Sequence, residues 1–429
     1  MNSGKDLAAR SRAAVWHPCT QMARLDAVPP LPIARGEGPW LIDTEGRRYF
    51  DANSSWWVNL FGHADAGLAE AIAHQARTLP HVMLAGCTHA PAVELAERLS
   101  ARTGGALGHA FFGSDGASAT EIALKMSAHY WRNLGQPQKC EFIALAGGYH
   151  GETLGALSVT DVAIFRDAYA PLLRATHLAP ALHEAGALAA IEAKLLELKG
   201  RCAAVIVEPL IQGASGMRMH GPEALRELRA LCTRYGAHLI ADEIAVGCGR
   251  TGTFFAWEQV STASWPDFVL LSKGITGGTL PLSLVLTTDT VFEAFLSPEV
   301  ARGFLHSHSY TGNAIACAAA NEVLRRMEAV LPTLPAQAKH LREAFAPLLA
   351  DPRVEAGRQT GMVLAFDVRA EVAGERFAET FHLVARAHEL LIRPIGRSVY
   401  LMPPYVIDAP TAQWLAQQVR ATLDEVCPR

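Results

Sequence analysis

The central part of the chain alternates short, uninterrupted apolar runs with longer segments whose apolar residues recur every three or four positions. The apolar runs predict buried strands at 110–112, 141–145, 203–207, 238–241, 268–271 and 282–286. The periodic segments predict helices, and the spacing is clearest at 119–133 and 222–235. Strands that alternate with helices are typical of a mostly parallel sheet covered by helices on both faces. We therefore predict an α/β fold for the centre of the chain.

The two ends of the chain have a different pattern. The first 62 residues are rich in proline and contain WLIDTEGRRYFDA, which predicts a hairpin that turns at Glu45 and Gly46. The last hundred residues predict an α+β unit, with a long helix near 313–328 and a strand near 362–367. We expect a large domain over 63–325 and a smaller α+β domain that combines 1–62 with 326–429.

Composition and charge exclude several classes of protein. The chain has 429 residues, with 38 Lys and Arg against 42 Asp and Glu, so no positive excess is available for a nucleic acid. The N-terminus lacks an apolar signal segment, and no stretch reaches the roughly 18 apolar residues of a membrane span. We expect a cytoplasmic protein. The eight cysteines form no CxxC pair, and His306 and His308 lack acidic or thiol neighbours, so we expect no metal and no disulfide framework.

Lysine is scarce, with seven in the chain, and Lys273 has an unusual position at the end of the apolar run PDFVLLSKG. Ligands of open α/β sheets gather at the carboxyl ends of the strands. A lysine amine sheltered from water has a lowered pKa, which suits it to Schiff-base chemistry with an aldehyde. A lysine whose amine simply extends to the surface is the alternative at this position.

An acidic residue ends a second predicted strand, in HLIADEI. Asp242 and Ile244 are two residues apart and so project to the same face of an extended segment. A flat heteroaromatic ring with a basic nitrogen would match this pair, with the carboxylate on the nitrogen and the aliphatic chain against the ring. The alternative is an ordinary aspartate that caps a helix or forms an ion pair.

Two further motifs follow predicted strands. The segment GSDGASATE at 113–121 leads into a helix, and the N–H groups of a helix start suit a phosphate, although Ser118 or Thr120 could simply cap that helix. In GGYHG, Tyr149 could stack on a bound ring. A lysine, an acid, a phosphate loop and an aromatic residue, each after a different strand, together predict a pyridoxal phosphate site.

A glycine motif at 247–252 favours a different function. It satisfies GxGxxG and follows a predicted strand, as the turn of a nicotinamide-dependent oxidoreductase would. The next residues, TFFAWEQ, do not predict a long helix, and the acidic residue expected after the next strand is missing. We interpret the match as accidental and the segment as a loop that carries Arg250.

These features resemble the class III, fold type I, pyridoxal phosphate aminotransferases over nearly the whole chain. GYHGETLGALSV, VEPLIQGASGM, LIADEIAVGCGRTG, LLSKGITGG and HSHSYTGN carry the resemblance. Within this family, the chain is most similar to the members that act in biotin biosynthesis. This narrower similarity rests on the segments VWHPCTQM, SSWWVNLFGH, THAPAVELAERL and RPIGRSVYLMPPY. The resemblance implies ping-pong transfer of an amino group from S-adenosyl-L-methionine to 8-amino-7-oxononanoate, which gives 7,8-diaminononanoate.

The resemblance also implies residue roles. Lys273, Asp242 and Tyr149 would act in catalysis, as the lysine that binds the cofactor covalently, the partner of the ring nitrogen and the stacking aromatic. Contacts with pyridoxal 5'-phosphate are implied for Asp115, Gly116, Ala117, Tyr149, Asp242, Ile244, Lys273, His308 and Ser309. Substrate contacts are implied for Cys19, Trp56, Trp57, Tyr149, Arg250, Lys273, Ser307 and Arg393, with Arg393 as the carboxylate anchor. His308 and Ser309 would reach the cofactor phosphate of the neighbouring subunit, which implies a homodimer.

The chain departs from the family pattern at three of these positions. Cys19 stands where some members have an aromatic residue, and Ser307 replaces a frequent glycine. Ser309 replaces a frequent threonine and keeps its hydroxyl. Lysine as the amino donor, and a general ω-amino acid aminotransferase that shares the cofactor residues, therefore stay open as alternatives.

Overall fold

The structure is a computed structural model that describes residues 4–428. The chain forms two compact units, one made of Met1–Ala66 with Pro335–Arg429 and the other of Gly67–Leu334. Within the described range, no helix combines the length and the apolar character needed to cross a membrane.

The strands and helices are numbered in chain order. The strands are β1 (Ile33–Glu37), β2 (Trp40–Asp43), β3 (Arg48–Asp51), β4 (His109–Gly113), β5 (Glu141–Leu145), β6 (His177–Ala179), β7 (Cys202–Val207), β8 (Ile211–Gln212), β9 (Arg218–Met219), β10 (His238–Asp242), β11 (Phe268–Leu271), β12 (Ser283–Thr287), β13 (Val354–Thr360), β14 (Val363–Val368), β15 (Leu390–Leu391) and β16 (Ser398–Leu401). The α-helices are α1 (Gly4–Ala14), α2 (Ser54–Trp57), α3 (Ala66–Thr78), α4 (Ala90–Arg102), α5 (Gly116–Asn133), α6 (Leu154–Ser158), α7 (Ala163–Arg166), α8 (Ala187–Glu197), α9 (Pro222–Arg234), α10 (Asp289–Glu293), α11 (Ala314–Val330), α12 (Leu334–Leu349), α13 (Phe377–Ala385) and α14 (Ala409–Val426).

A seven-stranded sheet organises the unit Gly67–Leu334. Its strand order is β4-β12-β11-β10-β7-β5-β6, and β12 alone runs against its neighbours, antiparallel to both β11 and β4. The pairs between β11, β10, β7, β5 and β6 are all parallel. The predicted mostly parallel sheet is therefore confirmed. The short strand β6 was not predicted, because three residues are too few to show a period.

Buried apolar residues of the strands pack on helix α5. Every residue of β7 (CAAVIV) is buried, as expected for a parallel strand covered on both faces. Ile122, Met126 and Tyr130 of α5, which are four residues apart and so share one face, belong to the same core cluster as Ile206 and Ile240 of the sheet. This packing holds the first turn of α5 beside the carboxyl ends of the central strands.

The unit formed by the two chain ends contains two smaller sheets. In the first, β1, β2 and β3 are antiparallel neighbours, and β15 joins β3 in parallel. The predicted hairpin is confirmed, and Gly46 adopts the left-handed φ of +85° that its turn requires. The second sheet has the antiparallel order β13-β14-β16. β15 thus ties the C-terminal segment to the N-terminal hairpin.

An ion-pair network joins the start of β13 to α14 in this unit. Arg353 is buried and donates two hydrogen bonds of 2.9 Å to the Asp351 carboxylate and one of 2.5 Å to Asp424 Oδ1. Arg420 donates a further bond of 3.0 Å to Asp351 Oδ2. The hydrogen bonds from Arg353 lower the pKa of Asp351, although burial opposes them.

Substitution Arg353→Met should lower the free energy of unfolding by about 3 kcal/mol, because removal of one partner leaves a poorly compensated buried charge. A group with a lowered pKa loses its stabilising contribution as the pH falls, so the difference should shrink below pH of about 4. Urea unfolding at several pH values measures both effects. Arg35→Met, which removes an exposed pair with Glu37, should change stability by less than about 1 kcal/mol. An equal effect of the two substitutions would contradict the prediction.

Candidate active site

Lys273 follows β11 after one residue, Ser272, and begins a 3-10 turn that spans Lys273–Thr276. Its φ of +43° falls in the left-handed region, an uncommon conformation for a residue with a side chain. Burial lowers the pKa of the Lys273 amine, while the negative charges of Asp242 and Glu208 act in the opposite direction. Lys273 is half-buried, and the direction of its pKa shift is the one that suits Schiff-base chemistry.

Asp242 ends β10 and is buried. Its Oδ1 accepts a hydrogen bond of 3.0 Å from the Ile244 N–H, and its Oδ2 lies 2.7 Å from His150 Nδ1. An ionised carboxylate only accepts, so Nδ1 of His150 is the donor. His150 Nε2 is buried without a hydrogen-bond partner among residues 4–428. These contacts orient the carboxylate but leave it acceptor capacity for a further donor.

Glu208, which was not predicted as a site residue, is a second buried acid near Lys273. It follows β7 directly and accepts hydrogen bonds of 3.0 Å from the N–H groups of Tyr149 and Gly213. Burial raises the pKa of Glu208 to about 7, against the opposing effect of His150. The signal that could have revealed it is the one that revealed Asp242, namely an acid that directly follows a buried apolar strand.

The predicted phosphate loop forms the start of α5. Asp115 is the N-cap, and its Oδ1 accepts a hydrogen bond of 2.9 Å from the Ser118 N–H. Gly116 approaches Ile244 so closely that an added Cβ would lie 3.0 Å from Ile244 Cγ2. Ala117 packs similarly close to Gly151. The first amides of α5 are thus brought beside the segment that follows Asp242.

Tyr149 and Arg250 lie on loops of the same unit. The Tyr149 hydroxyl donates a hydrogen bond of 2.9 Å to Glu152 Oε1, and its ring packs edge to face on Phe165. Arg250 is almost completely buried in the glycine-rich loop. That loop leads only to a short 3-10 helix, Ala256–Gln259, and not to the long helix of a dinucleotide-binding turn.

The segment Ser307–Ser309 is only partly buried in the single chain. His308 Nδ1 lies 3.1 Å from Ser114 Oγ, beside the phosphate loop of its own chain, and Ser307 and Ser309 are exposed. His306 lies between Lys125 Nζ, at 2.8 Å from Nδ1, and His308, at 3.1 Å between the two Nε2 atoms. In the described part of the chain, no group of three or more His, Cys, Asp or Glu could hold a metal ion.

The remaining predicted site residues belong to the unit formed by the chain ends. Cys19 is exposed in the N-terminal segment. Trp56 is 49% exposed, and its ring centroid lies 5.7 Å from Cζ of Arg393. Trp57 is 5% exposed, and its Nε1 donates a hydrogen bond of 2.9 Å to the Tyr400 hydroxyl. Trp56 and Arg393 therefore form one exposed aromatic and cationic pair.

The backbone that carries the two tryptophans is unusual. α2 is a left-handed turn, with φ of 50° at Ser54, 47° at Ser55, 73° at Trp56 and 74° at Trp57. The left-handed conformation costs roughly 1–2 kcal/mol for each residue with a side chain. No periodicity in the sequence signals this turn.

A family model for class III aminotransferases matches residues 21–423. The chain belongs to this family. It is 41% identical to the adenosylmethionine-8-amino-7-oxononanoate aminotransferase of Helicobacter pylori over 420 residues, which cover 95% of both chains. The crystal structure of the enzyme of that name from Methanocaldococcus jannaschii superposes with a TM-score of 0.94 at 32% identity and covers 100% of both chains. An (S)-enantioselective ω-transaminase from Thermomicrobium roseum has a TM-score of 0.92 at 29% identity over 99% of both chains.

Membership of this family makes the protein a pyridoxal phosphate-dependent aminotransferase and confirms the predicted fold and cofactor. The residues present fit this cofactor. The site of Gly67–Leu334 combines the poorly solvated amine of Lys273, the buried Asp242 carboxylate and the first amides of α5. An aldehyde, a basic ring nitrogen and a phosphate are the groups that such a set of side chains and amides can bind.

The raised pKa of Glu208 predicts a pH-dependent cost to stability. Its unfolded pKa is near 4.5 and its folded pKa about 7, so the folded protein binds the extra proton between these values and loses stability as the pH rises. Glu208→Gln removes this titration. Urea unfolding should therefore show the variant gaining stability relative to the parent between pH of about 5 and about 7. Loss of a hydrogen bond from the Tyr149 or Gly213 amide would change the free energy of unfolding by the same amount at every pH. A difference between variant and parent that stays constant across this pH range would therefore contradict the raised pKa.

Proposed function

We propose that this aminotransferase transfers an amino group from S-adenosyl-L-methionine to 8-amino-7-oxononanoate and so forms 7,8-diaminononanoate in biotin biosynthesis. The observation that carries the substrate assignment is the 41% identity, over 95% of both chains, to a relative named for these two substrates. The side-by-side placement of Trp56 and Arg393 supports it, because an aromatic ring suits a sulfonium-bearing adenosyl group and an arginine suits a carboxylate.

The cofactor-binding roles follow from the positions of the side chains. Lys273 would hold the cofactor covalently, and Asp242 would accept a hydrogen bond from its protonated ring nitrogen. The hydrogen bond from His150 keeps the Asp242 carboxylate in orientation. Tyr149 would stack on the ring. The Glu208 carboxylate accepts a hydrogen bond from the Tyr149 N–H and so holds the Tyr149 backbone. The pyridoxal ring supplies an electron sink, and its aldehyde carbon carries the amino group between the two substrates.

The phosphate contacts use a different part of the site. The amides of Gly116 and Ala117 at the start of α5 would bind the phosphate, where the helix dipole favours negative charge. Asp115 would position these amides as the N-cap, and Ile244, which contacts Gly116, would pack against the ring.

Lys273 would also move the proton in both half-reactions. In the first half, its Nζ accepts the proton from the amine-bearing carbon of the donor. In the second half, Nζ returns a proton to C7 of the acceptor. An amine with a lowered pKa suits both steps, because the neutral form that accepts a proton is more readily available than in an ordinary lysine. Donor and acceptor use the site in turn, which gives ping-pong kinetics.

The substrate contacts proposed for Cys19, Trp57, Arg250 and Ser307 stay predictions from the resemblance. Burial of Trp57 and Arg250 in the single chain means that each would offer a substrate only a small surface. Cys19 and Ser307, which are exposed, could shape the donor pocket, and they keep lysine open as an alternative donor.

We further propose a cytoplasmic homodimer with shared sites. His308 and Ser309 would reach the cofactor phosphate of the partner subunit. Leu305 and Tyr310, which flank this segment, are 76% and 67% exposed, and such large apolar side chains are typical of a surface that another subunit covers.

A general ω-amino acid aminotransferase is the second candidate, because the TM-score of 0.92 to the Thermomicrobium roseum ω-transaminase shows that the fold does not separate the two functions. The absorption spectrum of the purified protein should show bound cofactor and should change on addition of S-adenosyl-L-methionine. A panel of amino donors and acceptors then distinguishes the candidates. Turnover of simple ω-amino acids without amination of 8-amino-7-oxononanoate would favour the second one.

Lys273→Ala should abolish covalent attachment of the cofactor and reduce turnover by roughly a thousandfold or more, as expected for loss of the residue that transfers the proton. The measurements are visible absorbance, borohydride reduction followed by peptide mapping, and steady-state rates. Lys194→Ala removes a half-buried lysine that pairs with Glu197 on helix α8 and should leave all three unchanged. A reducible cofactor adduct on Lys273→Ala would disprove the assignment.

Arg393→Ala should impair single-turnover amination of 8-amino-7-oxononanoate by about thirtyfold or more, since loss of one partner of a desolvated charge pair costs roughly 2–5 kcal/mol. The half-reaction with S-adenosyl-L-methionine should stay near normal. Stopped-flow absorbance resolves the two halves. Arg397→Ala is the matched control, because Arg397 is an exposed arginine of the same loop that pairs with Glu355. Equal damage to both halves would show that Arg393 is not a specific anchor for the acceptor.

A further inference from the structure

The left-handed turn Ser54–Trp57 needs an external restraint. Four consecutive residues with side chains have positive φ, and the turn contains no glycine. A short segment of this kind persists only where its surroundings determine its conformation. Contacts made by Asp51, Met402 and Tyr400 provide that restraint.

Asp51 holds the first half of the turn. Its side chain is completely buried at the end of β3, its Oδ1 accepts a hydrogen bond of 2.8 Å from the Ser55 N–H, and its Oδ2 accepts one of 2.7 Å from Ser55 Oγ. Both bonds require the Ser55 backbone to curl back toward β3. Asp51 therefore acts on the residue directly before the exposed Trp56.

His63 keeps the Asp51 carboxylate in place. His63 Nε2 lies 2.9 Å from Asp51 Oδ2, and its Nδ1 lies 3.2 Å from Asn59 Nδ2. Because an amide nitrogen donates and a carboxylate accepts, Nε2 as the donor and Nδ1 as the acceptor satisfy both contacts. Asn59 Oδ1 in turn accepts a bond of 2.7 Å from the Gly62 N–H. The carboxylate is thus contacted by His63 as well as by Ser55, and Asn59 in turn contacts His63.

Bonds to β16 and the residue that follows it hold the two ends of the turn. Ser54 Oγ donates a hydrogen bond of 2.6 Å to the Met402 carbonyl, and Trp57 Nε1 donates one of 2.9 Å to the Tyr400 hydroxyl. Trp56, between these anchors, is the exposed aromatic residue of the turn. Its position beside Arg393 depends on the backbone conformation that Asp51 stabilises.

The loop of Arg393 is tied to the residue that precedes the turn. Asn53 Oδ1 accepts a bond of 2.7 Å from the Arg393 N–H, and Asn53 Nδ2 donates one of 2.9 Å to the Tyr400 carbonyl. A change in the turn would therefore also displace the Arg393 backbone.

We propose that Asp51 is a positioning residue for substrate recognition, which holds the left-handed turn so that Trp56 and Arg393 are presented together. The inference rests on the proposed function for the identity of the substrate, but the positioning role applies to whichever acceptor the enzyme uses. The proposed role of Asp51 involves contact with neither the reacting atoms nor the cofactor. Its loss should therefore weaken recognition and leave the chemistry of Lys273 intact.

Asp51→Ala in the holoenzyme should raise KM for 8-amino-7-oxononanoate by about tenfold, equivalent to roughly 1.4 kcal/mol, with kcat changed by less than about threefold. The absorbance of the bound cofactor should not change. The matched control is Asp43→Ala, which also removes a buried aspartate of the same sheet that accepts backbone and side-chain bonds from the β2–β3 turn. It should lower the melting temperature but leave KM near that of the parent. Equal KM values for the two variants, or a normal KM in Asp51→Ala, would overturn the proposal.

A rescue experiment separates positioning from general stability. Glycine adopts positive φ without steric cost. Addition of Ser55→Gly to Asp51→Ala should therefore reverse at least half of the rise in log KM. Failure of this rescue would overturn the proposal. If Asp51→Ala does not fold, Asp51→Asn with and without Ser55→Gly is judged by the same two criteria.

The KM comparison tests the positioning role of Asp51 separately from the proposed substrate. If the parent enzyme does not aminate 8-amino-7-oxononanoate, the proposed function fails, and the same KM comparison is made with the acceptor that the parent uses. A rise of KM in Asp51→Ala and its reversal by Ser55→Gly with that acceptor would still establish the positioning role.

Discussion

The burial of charged groups at the carboxyl ends of three neighbouring parallel strands is the constraint on which the site depends. Asp242 ends β10, Glu208 directly follows β7, and Lys273 follows β11 after one residue. Glu208 and Asp242 are buried, and Lys273 is half-buried. Desolvation raises the pKa of Glu208 and lowers the pKa of Lys273, so both pKa values shift toward neutral pH. Such groups change their protonation at little cost, which is the property that proton transfer requires.

The surrounding structure satisfies these buried groups one by one. His150 and the Ile244 amide fix Asp242, and the amides of Tyr149 and Gly213 fix Glu208. Two of these interactions, His150 with Asp242 and the Tyr149 amide with Glu208, join a strand end to the loop that carries Tyr149. The same contacts therefore satisfy buried polar atoms and position the site.

The chain divides its tasks between its two units. The unit Gly67–Leu334 carries the residues proposed to bind the cofactor and move protons, whereas the unit of the chain ends carries Trp56 and Arg393. In the second unit, precision comes from a strained turn held by buried hydrogen bonds. Strain of this kind is typical of segments whose side chains must be presented in one orientation.

The sequence by itself predicted six of the seven strands of the central sheet, the α/β class and the candidates Lys273, Asp242 and Tyr149, because burial periods and strand-end residues are local patterns. It did not reveal the antiparallel direction of β12, the role of Glu208 or the contact of His150 with Asp242. Nor did it indicate the left-handed turn at Ser54–Trp57, whose restraints come from Asp51 and from residues almost 350 positions away, at Tyr400 and Met402. Only the tertiary structure decided these features, because they depend on contacts between residues distant in sequence and on desolvation, which no local pattern records.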